Sequence, residues 1–389
     1  MQVYNHTIFT LGFRPFYLLA ALFAVIALPT WMGLYFGLFP ASQIVNGFAW
    51  HSHELVFGFA SAVIAGFLLT AVQSWTGLPT VKGKSLLGLV AIWVLGRVVP
   101  LTGPSILAGI IDMLFLPALA ISVAIPVIKS RNHRNLKVIV VLAGLALTNF
   151  SFHLAQYGIL PPEFARLSIT LALDIIVILM AVVGGRIIPA FTANAVTDAR
   201  PRNIYAIEVL ALGSLILIAL AHLCEIWVPV ARSFWLGLYL IAAVSHGIRL
   251  SLWQPLRTRH EVLLWMLPLA YAWIPLSLTL HVIALTVTEV PTNLSVHAFT
   301  IGAMASLMLA MMMRSALGHT GRALKARRIE ICAFALLQFA VIMRIAPGLV
   351  WPQYYQLFLI TSATLWELAF IVFIAGYWPI LTRPGLDET

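Results

Sequence analysis

The stretch FAWHSHELVFGFASAVIAGFLLTAV, residues 48–72, is apolar for the length of a bilayer, yet it opens with His51, His53 and Glu54 inside four residues. A helix crosses the hydrocarbon core with about 20 mostly apolar residues. Ionisable groups are costly at such depth and by default mark function. The stretch therefore predicts a membrane span with chemistry at its head.

The composition supports a membrane solvent. Of 389 residues, 61% are hydrophobic and 9% charged, where a soluble domain carries about a quarter charged residues. Such a chain cannot cover itself with a polar surface in water. One arginine, Arg14, precedes the first long apolar run, with no small-residue cleavage site after it, so no cleavable leader is expected. The net charge of +10 could point to nucleic acid. In a membrane protein it reports basic cytoplasmic loops instead, and no nucleic-acid partner is expected. Cys224 and Cys332 fall toward opposite faces of the expected topology, which argues against a disulfide or a cysteine metal site.

Hydropathy predicts twelve spans, near 16–38, 49–72, 85–101, 105–128, 136–158, 165–188, 204–226, 233–253, 262–288, 293–316, 329–347 and 354–380. With the N-terminus inside, the inner side holds nineteen of the 23 basic residues, and the outer side holds Arg97, Arg166, Arg232 and Arg344. The positive-inside rule then places both termini in the cytoplasm. The longest inner loops, near 189–203 and 317–328, are too short to fold alone. The expectation is an all-α polytopic bundle forming one integral membrane domain, 1–389, with no convincing internal repeat.

Six of the eleven histidines, His51, His53, His153, His222, His281 and His297, lie within about two helical turns of an outer span end, a depth of about 10 Å. Five different spans supply them. Glu54, Glu225 and Asp174 share that outer half. His6, His133, His260 and His319 fall in inner aqueous segments, and His246 in the inner half of the eighth span. A single interfacial histidine can simply snorkel toward headgroups. A shared layer on five helices suggests a site, because imidazole is a common ligand to haem and to copper. His51 and His53 point about 200° apart on a regular helix, so the pair is suited to two centres, or to one if His51 turns back before the first turn. Glu54 can orient a ligand, bind directly or pass a proton. In the tenth span His297, Met304, Met308 and Met311 share one helical face, which suits a flat cofactor, Cu(I) bound by thioethers, or ordinary packing. Arg186 and Arg314 near inner span ends, and His319 in the turn GHTG, are candidate anion or haem-propionate contacts. Snorkelling arginines explain the same positions.

LGFRPFYLLAALFA, WHSHELVFGFASAVIAGFLLTAVQSWTG, GGRIIPAFTAN and HAFTIGAMASLMLAMMMRSALGHTGR occur in that order between about residues 8 and 325. Together they resemble the NnrS family of haem- and copper-containing polytopic membrane proteins linked to nitric oxide. The motif matches cover His51, His53, Glu54, Arg186, Pro189, His297, Arg314, His319, Gly321 and Arg322. TNFSFHLA, with Asn149 and His153, and SHGIRL, with His246 and Arg249, match more loosely. In LLWMLPLAYAW, Pro268 stands where relatives are expected to carry a histidine, and His281 further along that span is the local alternative.

The resemblance implies haem b and copper, nitric oxide or a related small molecule as ligand, and a bacterial inner-membrane location in nitrosative-stress defence or denitrification. Lipid and an unidentified electron donor are the expected partners, with homo-oligomerisation left open. The architecture is also similar by analogy to haem-copper oxidases and nitric oxide reductases, although the tenth-span His-x-His pair of those enzymes is missing. On the first functional reading His297 and either His51 or His53 hold a haem. His153, His222 and His281 then supply the second metal, and Glu54 or Asp174 carries protons as a catalytic group. Nitric oxide reduction is the enzymatic form of that reading. A proton-coupled secondary transporter, and a non-enzymatic metal- or nitric-oxide-binding assembly protein, are the alternatives.

Overall fold

The computed structural model describes residues 7–38, 47–102 and 106–386. Those residues are overwhelmingly helical, with no strand among them. This is what lipid demands, since a helix satisfies its backbone polar groups within itself. The long helices are α1 (Phe13–Tyr35), α2 (Gly47–Thr76), α3 (Lys84–Val98), α4 (Ile106–Lys129), α5 (Leu136–Gln156) and α6 (Glu163–Ala195). They continue as α7 (Tyr205–Cys224), α8 (Arg232–Leu252), α9 (Val262–Thr286), α10 (Asn293–Gly318), α11 (Arg328–Leu349) and α12 (Tyr355–Thr382).

Eleven of these are long and apolar enough to cross a membrane. The exception is α3, whose 15 α-helical residues are continued by a 3-10 turn over Val99–Thr102. The expected twelve spans thus match twelve helices in order, one of them short of a full crossing by α-helix alone. The sixth runs to Ala195, beyond its expected end at 188, because Pro189 is accommodated inside the helix. The loop expected near 189–203 is correspondingly shorter. His6 lies outside the described residues.

Two compact units divide the chain. The first takes residues 1–173, 315–322 and 374–389, and the second takes 174–314 and 323–373. In the first unit, Arg14 is wholly buried and its Nη1 donates to the carbonyl oxygens of Ile380, Leu381 and Arg383, the last at 2.6 Å. The end of a helix leaves carbonyls unsatisfied and slightly negative, so a guanidinium caps it well. This explains the buried arginine of LGFRPF.

The two most enclosed candidate spans are α2 and α10, with 89% and 72% of their most apolar windows buried. Each contains a π-helical segment that begins directly after a histidine: Glu54–Ala60 follows His53, and Ala298–Ala305 follows His297. Such wide turns are rare and frequent at functional sites. In α10 the wide turn breaks the 3.6-residue period, so the spacing that put His297 and Met304 on one face no longer does so. Met304 and Met308 are buried in packing, while His297 is half-buried.

Candidate metal centre

Four helix ends meet in the first unit. The heads of α2 and α4 bring His53, Glu54 and Asp112; the tails of α3 and α5 bring Arg97, Asn149 and His153. Alternating helix direction sets all six at one level, as the shared depth of the histidines predicts. Close backbone approach makes the meeting possible. A Cβ on Gly96 would lie 3.2 Å from the Cα of Asp112, and one on Gly58 would lie 2.9 Å from Arg97 Nη1.

Asp112 is the hub, 3% exposed within a span. Its Oδ2 is 2.8 Å from His153 Nε2, 3.3 Å from His53 Nε2, and accepts a hydrogen bond from Asn149 Nδ2 at 2.9 Å. Its Oδ1 is paired with Arg97 Nη2. Arg97 Nη1 donates to Glu54 Oε2 at 2.8 Å, and Glu54 Oε1 lies 3.0 Å from His53 Nδ1. Asn149 Oδ1 closes the circuit at 2.9 Å from His53 Nε2. Phe152 stacks on the His53 ring at 4.6 Å, Phe57 packs at 5.1 Å, and the rings of His53 and His153 are 5.1 Å apart.

Ligand atoms of His53, Asp112 and His153 all lie within 4.8 Å of one another, and all three residues are buried. Two imidazoles and a carboxylate form a nitrogen–oxygen donor set of the kind copper, zinc and iron accept. Both ring nitrogens of His53 face oxygens that can only accept: Glu54 on one side, Asn149 and Asp112 on the other. Each nitrogen must therefore present a hydrogen, or Nε2 a metal ion in its place. The residues fit a single metal ion. The space between His53 and His153 is taken by Asp112 and Asn149, which leaves no slot there for a porphyrin.

The other expected residues are distributed as follows. His51 stacks on Trp31 at 4.3 Å, away from His53, as two residues 200° apart on a helix should. In the second unit, His222 Nδ1 is 2.7 Å from Asp174 Oδ2, and Tyr239 Oη is 3.3 Å from His222 Nε2. The Tyr239 ring stacks on His281 at 4.0 Å, and His281 Nδ1 is 3.1 Å from Ser295 Oγ. Asp174, His222 and His281 are thus joined through a tyrosine. Trp235 donates to Glu225 at 3.3 Å. His297 Nδ1 donates to the carbonyl of Asn293 at 2.7 Å. Arg314 lies over Phe191, 4.3 Å from the ring centroid, Arg186 is half-buried, and His319 is exposed, 6.0 Å from the Phe13 ring.

A further group in the second unit has a different character. Arg249 clasps Glu208 with two bonds, Nε–Oε1 at 2.8 Å and Nη2–Oε2 at 2.5 Å. Its Nη1 donates to the Ala181 carbonyl and to Tyr271 Oη, both at 2.8 Å. His246 bridges Tyr271 Oη at 2.7 Å and the Ala211 carbonyl at 3.0 Å. Since that carbonyl only accepts, His246 carries its hydrogen on Nε2 and receives one from Tyr271. Every polar atom is committed, which makes this group a structural lock.

Fold and site together define a polytopic helical membrane protein with a buried imidazole–carboxylate cluster. The model of the NnrS protein family matches residues 7–384, and the chain belongs to that family. Membership makes it a nitric-oxide-related membrane protein. A comparison with curated proteins gave no match.

Proposed function

We propose that this chain binds a metal ion, copper, through His53, Asp112 and His153, and uses it to bind nitric oxide in the bacterial inner membrane, with reduction as the associated chemistry. One observation carries the reading: three buried ligand atoms converge within 4.8 Å inside membrane helices. Buried imidazole nitrogens and a carboxylate oxygen that face one another need a positive charge among them, and a cation supplies it to all three at once. A bound copper ion would supply a coordination position for the small molecule and would pass to it the electrons that reduction takes from an outside electron donor. Asn149 and Arg97 orient Asp112, and Glu54 orients His53 through Nδ1, as outer hydrogen bonds do for metal ligands generally.

Haem b belongs to the same proposal at a different place. His53 is engaged at both nitrogens, so haem falls to another imidazole of the layer, with His297 as the proposed axial ligand. Asp174, joined to His222, is the proton-handling carboxyl. The role is defence against nitrosative stress or a step of denitrification, with both chain termini cytoplasmic.

The test is metal and haem content of the purified chain, with absorption spectra before and after nitric oxide. The expected result is copper that disappears in His53→Ala and His153→Ala while haem stays. Copper retained in both variants would overturn the metal assignment.

A further inference from the structure

We infer that Arg97 makes the metal centre an anion-binding site: with a divalent ion in place, the centre calls for one small monoanion, of the class of nitrite or azide. The inference rests on the metal reading proposed above, and adds to it the ligand that the loaded site selects.

Glu54, Asp112 and Arg97 are 4%, 3% and 8% exposed, and they are bonded to one another inside the span region. The ion pairs of the group join these three to one another and to His53 and His153. Two carboxylates against one guanidinium leave a single negative charge. When His53 and His153 give their lone pairs to a metal ion they are neutral, and the count turns on the ion alone. A monovalent ion leaves the centre neutral. A divalent ion leaves it with one positive charge.

An uncompensated charge in a medium of low dielectric is expensive. Arg97 cannot shed its proton to relieve it, and both carboxylates are already paired. Three protein ligands are one fewer than a four-coordinate ion takes, which leaves a position for an outside ligand. A monoanion there restores neutrality. The same site with a monovalent ion has no such need and suits an uncharged diatomic. The valence of the ion therefore decides whether the ligand is charged or neutral, and Arg97 sets where that boundary falls.

The experiment uses the full chain in detergent, loaded with Cu(II) and titrated with azide, read by the azide charge-transfer absorption and by electron paramagnetic resonance. Wild type and Arg97→Lys should bind one azide. Arg97→Gln should bind it about tenfold or more weakly, because the loaded site is then already neutral. Glu54→Gln, which keeps the pair between Arg97 and Asp112, should bind azide about tenfold or more tightly. The double variant Glu54→Gln/Arg97→Gln restores the wild-type charge and should return to near the wild-type affinity. Cu(II) bound with azide affinity indifferent to these charges, or with no azide bound, overturns the inference and leaves the metal site standing. No Cu(II) uptake dependent on His53 and His153 removes both.

Discussion

His53 and His153 turn their Nε2 atoms toward one and the same oxygen, Asp112 Oδ2, at 3.3 and 2.8 Å from opposite helices of the first unit. The two rings stand at 75° to each other. Convergence of two imidazoles on one carboxylate oxygen, with a guanidinium on the other, is the relationship from which the functional reading follows.

Asp112→Asn keeps the size of the hub and removes its charge. Arg97 then keeps only Glu54 as a charged partner. Stability should fall by about 3 kcal/mol, the scale of breaking a buried ion pair, and copper content should fall with it. Unfolding in detergent and metal analysis check both; a variant with full copper would show that Asp112 is no ligand.

His297→Ala should remove haem and leave copper in place, since the residues proposed to hold copper all lie in the first unit. The protein should still insert in the membrane. Reduced absorption spectra and metal analysis decide the matter: an unchanged haem spectrum would send the axial role to His222 or His281.

Replacing Met304, Met308 and Met311 together by Leu should leave copper content unchanged. Met304 and Met308 are buried in packing, and Leu is close in volume, so the cost should stay below about 1.5 kcal/mol per site. Copper lost from the triple variant would reveal thioether ligation.

Tyr271→Phe removes the hydroxyl that joins Arg249 to His246. The expected cost is about 1–3 kcal/mol, because a buried guanidinium hydrogen and an imidazole nitrogen lose a partner. Copper content and the response to nitric oxide should not move. A variant as stable as wild type but blind to nitric oxide would make this group part of the chemistry.

A reporter joined after Thr389 should work only if it functions in the cytoplasm, given the division of basic residues about the spans. Activity of an exported reporter at that position would mean an odd number of crossings.

Much of this was legible in the sequence, for reasons that can be named. Hydropathy found every long helix because lipid imposes one length and one composition. His53, Glu54 and His153 announced themselves as ionisable groups at one depth. Asp112 did not, although LAGIIDMLFL holds a lone carboxyl in an apolar helix, the same kind of signal that singled out Asp174. Its partner Arg97 sits fifteen residues earlier, across a helical hairpin, so no periodic spacing links the two. The charge tally then filed Arg97 among outer-side basic residues, whereas it is a buried member of the centre. Glu208 and Tyr271 were hidden likewise, since only folding brings them to Arg249. The π-helical turns leave no mark in a reading that assumes 3.6 residues per turn.

The turn at Glu54–Ala60 acts as an angular joint in a helix that is otherwise a rigid rod. A wide turn carries about one residue more than the α-helical path it replaces, and one residue is about 100° of rotation. Were that segment to tighten into an ordinary α-helix by loss of a single residue, everything before Glu54 would swing around the axis relative to everything after Ser61. His53 would leave Asp112 and sweep past Phe152, with the packed half of α2 undisturbed below. The aim of the imidazole and the anchorage of the helix are thus set by separate parts of one continuous segment, and one can be retuned without loosening the other.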